Sequence, residues 1–281
     1  MTAVMAAPKE YGALSIRHAG KVYDPDGINV VAVQDCSIDI GAGEFAVIVG
    51  PSGCGKTTLL NIIAGFDTLT TGEILMDGEV IAAPRRPPTP GADRIVVFQN
   101  GSLFPWKTVL DNITYGPLVQ RSMSMKQARL EARGLLARVG LSGLEDKYPG
   151  ELSSGVQRRV EILRALINDP KVVLLDEPFR ALDAVSKSVM HNFLLELFHT
   201  SRKTMFFITH DLDEAIFLGD VVIVMTTRPG RIKKTIRVNL PRPRDYRVLN
   251  SDEYIRLKEE ALEAVHEEAL KAFQAGEREL A

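Results

Sequence analysis

The sequence predicts an α/β fold: a mainly parallel core sheet, an N-terminal antiparallel β-subdomain and an inserted helical subdomain. Three observations carry this. Short apolar runs at Phe45–Val49, Lys171–Leu175 and Thr204–Ile208 each end in polar residues, as parallel strands buried on both faces do. Residues 13–40 alternate roughly in polarity about a turn at Tyr23-Asp-Pro-Asp-Gly27, which suits two paired strands. From about 101 to 168 the apolar spacing changes to three and four residues, the helical period. With 281 residues, 45% of them apolar, the chain can bury one large α/β domain or a core plus a subdomain.

In order, residues 1–12 form an N-terminal extension. Met1–Glu10 lacks a basic start followed by an apolar run, so it does not read as a signal peptide. Ala13–Val22 and Asn29–Ile40 are the first two strands, and Gly41-Ala-Gly43 turns the chain into Phe45–Val49. Tyr23 by itself reads as a strand-end aromatic, with stacking on an adenine ring as the alternative. A helix runs from Lys56 to about Ala64. Glu73–Met76 followed by Asp77-Gly78 is a hairpin signal, and 83–93 is a Pro-rich surface connection. Arg94–Phe98 is a β-branched strand ending at Gln99. The inserted helices are Thr108–Leu118, Met125–Val139 and Gly155–Ile167, followed by the strand Lys171–Leu175 and a helix over Ala184–His199. After Thr204–Ile208, the segments Val221–Met225 and Arg231–Val238 are the last strands, and Pro241–Asp245 is a linker. Ser251–Phe273 is an amphipathic helix, with Tyr254, Leu257, Ala261, Leu262, Val265, Ala269 and Phe273 on one stripe. The main domain is expected over 13–240, and 241–281 holds the linker and the last helix.

The chemistry centres on Gly50-Pro-Ser52-Gly53-Cys54-Gly55-Lys56-Thr57-Thr58. Gly50, Gly55, Lys56 and Thr57 fit G-x-x-x-x-G-K-[ST], the phosphate-binding loop, between a strand and a helix as that motif requires. It makes the core a P-loop NTPase core. Glycines let successive N–H groups converge on anionic oxygens, and the helix N-terminus adds roughly half a positive charge. Lys56 is placed to reach the β- and γ-phosphates and Thr57 to bind Mg²⁺.

Two other apolar strands end in Asp176-Glu177 and Thr209-His210, and a fourth in Gln99. In open parallel sheets ligands sit at the carboxyl ends of strands, so these clusters are expected to meet. Asp176 suits Mg²⁺ ligation, Glu177 suits activating a water for attack on the γ-phosphate, and His210 suits bridging to that phosphate. Gln99 would complete the shell around metal and water. Each of these alone has an ordinary structural reading, such as an acidic helix start or a capped turn histidine; their order behind a phosphate loop favours the functional one.

Composition narrows the setting. Basic and acidic residues nearly balance, 34 against 36, so no global basic field argues for a nucleic-acid partner. Cys36 and Cys54, the two cysteines, make neither a disulfide framework nor a metal cluster and suit a reducing compartment. Cys54 lies inside the phosphate loop, where the N–H nest and helix end act to lower a thiol pKa, but it reads first as a small filler. No apolar run is long enough to span a bilayer, so any membrane role is expected to be peripheral.

From about Ala13 to Ile232 the chain resembles the ATP-binding subunit of an ABC transporter. The residues that carry this are Leu152-Ser153-Ser154-Gly155-Val156-Gln157-Arg158-Arg159, similar to the signature motif, with Asp176-Glu177-Pro178 and Ala181-Leu182-Asp183 similar to the Walker B and D-loop pair. By the same resemblance His210 is the switch histidine, Gln99 the Q-loop residue and Tyr23 the adenine-stacking aromatic. Pro90–Asp93, Phe104-Pro-Trp106-Lys-Thr108 and Thr227-Arg-Pro-Gly-Arg231 resemble the nitrate/sulfonate/taurine import group. The resemblance implies two copies closing on two ATP molecules with Mg²⁺. Ser52, Gly53, Cys54, Thr58 and Asp183 would also line the nucleotide, with Ser153 and Gly155 reaching it from the second copy. It implies a transmembrane permease docked near Phe104–Thr108, an extracytoplasmic solute-binding protein, and a place in the cytoplasm on the inner face of the plasma membrane. The alternative is a weakly hydrolysing regulatory subunit of such a transporter. Two residues depart from the pattern: Ser154 stands where the first signature glycine is usual, and Arg180 where a glycine is usual between Phe179 and Ala181.

Overall fold

A computed structural model of the protein describes residues 11–24 and 27–274. Met1–Glu10 and part of the turn after Tyr23 lie outside these described residues. Two sheets form the framework. The first is antiparallel: β1 (Leu14–Tyr23) lies between β2 (Val30–Ile40) and β4 (Thr71–Met76), and β5 (Glu79–Ala82) completes the order β2-β1-β4-β5. The second contains β3 (Phe45–Val49), β6 (Arg94–Val97), β7 (Val172–Asp176), β8 (Thr204–Ile208), β9 (Val221–Met225) and β10 (Ile232–Arg237). Its order is β10-β9-β3-β8-β7-β6, parallel except for β10.

Every residue of β3, β7, β8 and β9 is buried. Strand side chains alternate between faces, and this alternation divides the core. Phe45, Val47, Val173, Leu175, Phe207 and Val222 enter one apolar cluster with the helical layer. Ala46, Ile48, Leu174, Phe206 and Ile223 enter the other, with β1, β2 and the helix α1 (Lys56–Ala64). A sheet covered on both sides leaves only its strand ends for chemistry.

Between β6 and β7 come α2 (Val109–Val119), α3 (Met125–Arg138) and α4 (Ser154–Leu166). Their starts follow the side chains available. Thr108 caps α2, Ser124 and Gln127 make a capping box on α3, and Ser153 caps α4. α5 (Ala184–Ser201) is capped by Asp183 and α6 (Leu212–Leu218) by Asp211.

The sequence reading needs correction at α7 (Asp252–Gln274). Its buried stripe is Tyr254, Leu257, Ala261, Ala264 and Glu268. Leu262, Ala269 and Phe273, expected on that stripe, face solvent, Phe273 being 82% exposed. Two stripes compete on this helix, and contact with α6, β9 and β10 selects the one whose charged member has partners. Glu268 accepts hydrogen bonds from the Thr227 N–H at 3.0 Å and Lys271 Nζ at 2.7 Å, and Lys233 Nζ lies 3.0 Å away. The segment read as a linker is also anchored. Buried Arg244 donates to the carbonyls of Ile216, Phe217 and Gly219 at the end of α6, and Arg242 pairs with Asp220 at 2.6 Å.

Candidate active site

The loop from Gly50 to Thr58 joins β3 to α1. Gly55 stands just before the helix with a left-handed backbone, φ 96°. A Cβ there would lie 2.7 Å from the Ala32 carbonyl oxygen, so this position excludes other residues on both counts. Lys56 is buried inside the curl, donating from Nζ to the carbonyls of Gly50 at 2.8 Å and Pro51 at 2.9 Å. Ser52, Gly53 and Thr57 are exposed and Thr58 is half-buried. Cys54 is buried, and burial raises its thiol pKa against the lowering effect of Lys56, which fits a filler rather than a reactive thiol. Burial likewise pushes Cys36 up to about 12.

Beneath the loop the turn after β9 comes very close. Gly230 exchanges backbone hydrogen bonds with Ala32 and Gln34 of β2, and a Cβ on it would lie 1.9 Å from the Cys54 carbonyl oxygen. Tyr23, at the end of β1, is 37% exposed and donates its hydroxyl to Asp67 Oδ2 at 2.6 Å. Lys21 Nζ sits 4.8 Å from the ring centroid and 2.5 Å from Asp67 Oδ1. Burial opposes ionisation of Asp67, yet the hydrogen bonds from Lys21 and Tyr23 outweigh it and hold its pKa below the usual value.

The parallel order β3, β8, β7, β6 sets the loop, His210, Asp176-Glu177 and Gln99 in a row at the carboxyl edge of the sheet. Thr57 donates from Oγ1 to Asp176 Oδ1 at 3.3 Å. Asp176 is buried, and its pKa is raised, first by burial and then by the neighbouring Glu177. Glu177 has a left-handed backbone, φ 41°, pinned by its N–H donating to Ile208 O at 3.0 Å. That turn delivers two successive carboxylates to one edge, which an extended strand would not. Gln99 Nε2 and His210 Nδ1 both lie 3.5 Å from Glu177 Oε2.

Two supports were not foreseen in the sequence. Buried Arg158 on α4 donates to the carbonyls of Phe98 and Gln99, each at 2.7 Å, and pairs with Glu161 at 2.7 Å. Glu161 in turn accepts the Ser102 N–H at 2.5 Å. Thus α4 fixes the strand end that carries Gln99. Beside His210, Thr209 Oγ1 donates to buried Glu214 Oε2 at 2.6 Å, while Lys187 and His191 approach Oε1 at 3.3 and 3.4 Å. Burial raises the Glu214 pKa, but the contacts from His191, Thr209 and Lys187 prevail and lower it. The Gln157-Arg158 pair in the sequence was the available signal for the first support; Asp211 followed by Asp213 and Glu214, a capped acidic helix start, was the signal for the second.

Ser153, Gly155 and Asp183 are not drawn into this row. Among the described residues, no hydrogen bond joins them to the phosphate loop. Ser153 caps α4 and Asp183 caps α5, accepting the Val185 and Ser186 N–H groups at 3.0 Å. Ser154 is the first residue of α4 and is absent from the positive-φ positions, so it carries no strain in place of glycine. A Cβ on Gly155 would meet nothing within 4 Å; the chain's own packing does not demand a glycine there. Further along, buried Asn112 holds residues 104–108 by accepting the Phe104 N–H and donating to the carbonyls of Phe104, Lys107 and Thr108. This loop displays Trp106, 71% exposed, against Phe104, whose ring in turn meets Tyr115 edge-on.

The family model described as ABC transporter matches residues 33–180, more than half of the chain. The chain belongs to the ABC transporter family. This ABC chain is 43% identical to a taurine import ATP-binding protein of Roseobacter denitrificans, over 80% of this chain and 82% of that one. It is 39% identical to a nitrate import ATP-binding protein of Synechococcus elongatus, over 95% of this chain and 97% of that one. A solved dimeric ATP-binding cassette in a post-hydrolysis state, bound to ADP and inorganic phosphate, superposes with a TM-score of 0.68 at 29% identity. That likeness covers 81% of this chain and all of the other. Among the described residues of this ABC protein, no helix is long and apolar enough to cross a membrane.

Proposed function

We propose that this chain is the ATP-hydrolysing subunit of an importer for a small anionic solute of the nitrate, sulfonate or taurine type, working as a pair of copies on separate permease subunits. The observation that carries this is the row at the sheet edge: Lys56 and Thr57 beside Asp176, then Glu177 with Gln99 and His210 on one carboxylate oxygen. ATP is the substrate. The loop N–H groups, including those of Ser52, Gly53, Cys54, Gly55 and Thr58, cradle its phosphates, Lys56 supplies charge, and Tyr23 stacks on the adenine. Glu177 takes the proton of the attacking water, and His210 and Gln99 hold the water and the terminal phosphate in line.

The donor set also fits Mg²⁺. Among the described residues no group of three or more His, Cys, Asp or Glu side chains converges, whereas Thr57 and Asp176 present a hydroxyl and a buried carboxylate together. Mg²⁺ is usually held by one or two protein oxygens plus substrate phosphates. Thr57, Asp176 and Gln99 would hold it, and when bound it neutralises charge on the phosphate oxygens.

Ser153 and Gly155 of one copy face the nucleotide of the other across the dimer, with Asp183 at the same seam; the open space at Gly155 leaves room for that approach. The dimeric state of the related cassette supports this pairing. Trp106 and its aromatic neighbours form the permease contact, placing the chain at the inner face of the plasma membrane. An extracytoplasmic solute-binding protein supplies the solute.

The test is Glu177→Gln. It is expected to bind ATP and form a stable ATP-dependent dimer while turnover falls by about a hundredfold or more, the usual range for a lost general base. Near-normal turnover would remove Glu177 as the base.

A further inference from the structure

The Glu177 carboxylate has a third neighbour on the oxygen that faces Gln99 and His210. Arg180 Nη1 lies 3.7 Å from Glu177 Oε2. Among the described residues, no donor reaches Oε1. We propose that Arg180 is a positioning residue for hydrolysis: its guanidinium tethers Oε2, so that Oε1 stays turned outward to receive the proton of the attacking water. The proposal rests on the reading of Glu177 as the base.

The backbone makes this contact an inherent one. Glu177 and Arg180 are the ends of one tight turn, with the Arg180 N–H donating to Glu177 O at 3.3 Å. The turn is fixed on both sides of Arg180. Glu177 N–H is bound to Ile208 O at 3.0 Å, and Phe179 is fully buried, 5.7 Å from the ring of Phe207. Leu182 N–H closes the next turn onto Phe179 O at 3.1 Å. The arginine therefore swings from a rigid base, on the same side as the carboxylate. It brings a cationic side chain to the carboxylate, whereas Gln99 brings a neutral amide. The Arg180 side chain is 56% exposed and that of Glu177 only 16%. Water thus reaches the pair from the arginine side, and the pair is sensitive to dissolved salt.

Orientation of a reacting group acts on the chemical step rather than on substrate affinity. In steady-state ATPase assays on the full chain, Arg180→Ala is expected to lower kcat about two- to fivefold, in line with a half-exposed ion pair, and to leave KM for ATP within about twofold. Arg180→Lys keeps the charge and is expected to recover most of the loss, as is free guanidinium added to Arg180→Ala. Raising salt from about 0.05 to 0.5 M shortens the Debye length several-fold, so the wild-type kcat should fall toward that of Arg180→Ala while the variant itself stays flat. Arg180→Ala turning over at the wild-type kcat, with Glu177→Gln inactive, would overturn the role of Arg180 alone. Glu177→Gln turning over normally would overturn the base first. A loss in Arg180→Ala that neither lysine nor guanidinium restores would mark a purely structural residue and also overturn the proposal.

Discussion

Replacing Arg158 by methionine removes the guanidinium and keeps the stem. The arginine side chain is 10% exposed and its partner Glu161 only 3%. Breaking a buried pair from one side costs about 3–5 kcal/mol, because the other charge is left uncompensated. The carbonyls of Phe98 and Gln99 lose their donors as well, so the upper half of that range is expected. For a chain of this size each kcal/mol moves the midpoint by about 2–4 °C, giving a fall of roughly 8–20 °C by calorimetry. Arg158→Met with Glu161→Met removes both charges and should regain about half of the loss, the remainder reflecting the Phe98 and Gln99 carbonyls and the Ser102 N–H, all left without partners. The single variant should also hydrolyse ATP more slowly, since Gln99 rides on the strand end that Arg158 holds. A single variant melting within about 2 °C of the wild type, or a double variant no more stable than the single, would refute the reasoning.

Two further outcomes follow from the same structure. Gly230→Ala places a methyl against the Cys54 carbonyl, 1.9 Å from the ideal Cβ position, and forces the turn away from the phosphate loop. Affinity for a non-hydrolysable ATP analogue should drop about tenfold or more, ~1.4 kcal/mol, and an unchanged Kd in titration calorimetry would disprove the contact. Glu268 tests the attachment of α7. Burial alone raises its pKa, but the hydrogen bonds from Lys271, Lys233 and the Thr227 N–H reverse the sign and hold it below the unfolded value. Its stabilisation is therefore present above the unfolded pKa of about 4.3 and is lost as pH falls through the lower folded value. Glu268→Gln should be about 1–3 kcal/mol less stable than the wild type in urea at pH 7, and the gap should narrow as the pH is lowered below the unfolded value of about 4.3 towards pH 3. A gap of equal size at both pH values would exclude an ionised Glu268 as the clamp.

The fold was legible where period and punctuation agreed. Phe45–Val49 is wholly apolar between glycine turns, Thr204–Ile208 is apolar after its first residue, and both became buried parallel strands at those residues. The row of Thr57, Gln99, Asp176, Glu177 and His210 was legible because each residue lies at or just past the end of a strand, and parallel packing brings such ends together. The rest depended on contacts between distant parts of the chain. α6 is seven residues long and five of them are apolar, so it shows no period. The stripe on α7 was misjudged because Leu262 and Phe273 outrank Glu268 in hydropathy. Besides Lys271 on the same helix, the backbone N–H of Thr227 and the ammonium of Lys233, more than thirty residues upstream, make a carboxylate the better buried member. Arg158 and Glu161 showed in the sequence as an i,i+3 charge pair, but their buried partners are carbonyls and an N–H, which no side-chain pattern encodes. Arg180 was recognised as a departure, but its pairing with Glu177 follows from the turn and not from the spacing alone.

The left-handed backbone at Glu177 has a consequence for how this position can change. Such a conformation costs a residue bearing a Cβ roughly 1–2 kcal/mol relative to the right-handed form, and glycine or asparagine is relieved of much of it. Glutamate therefore occupies the place against its own conformational preference, held there by the Ile208 carbonyl and by the buried Phe179 that follows. A substitution to glycine or asparagine is expected to gain stability at this turn and, on the proposed role of Glu177 as the base, to lose hydrolysis at once. Stability and the proposed chemistry thus pull this one position in opposite directions.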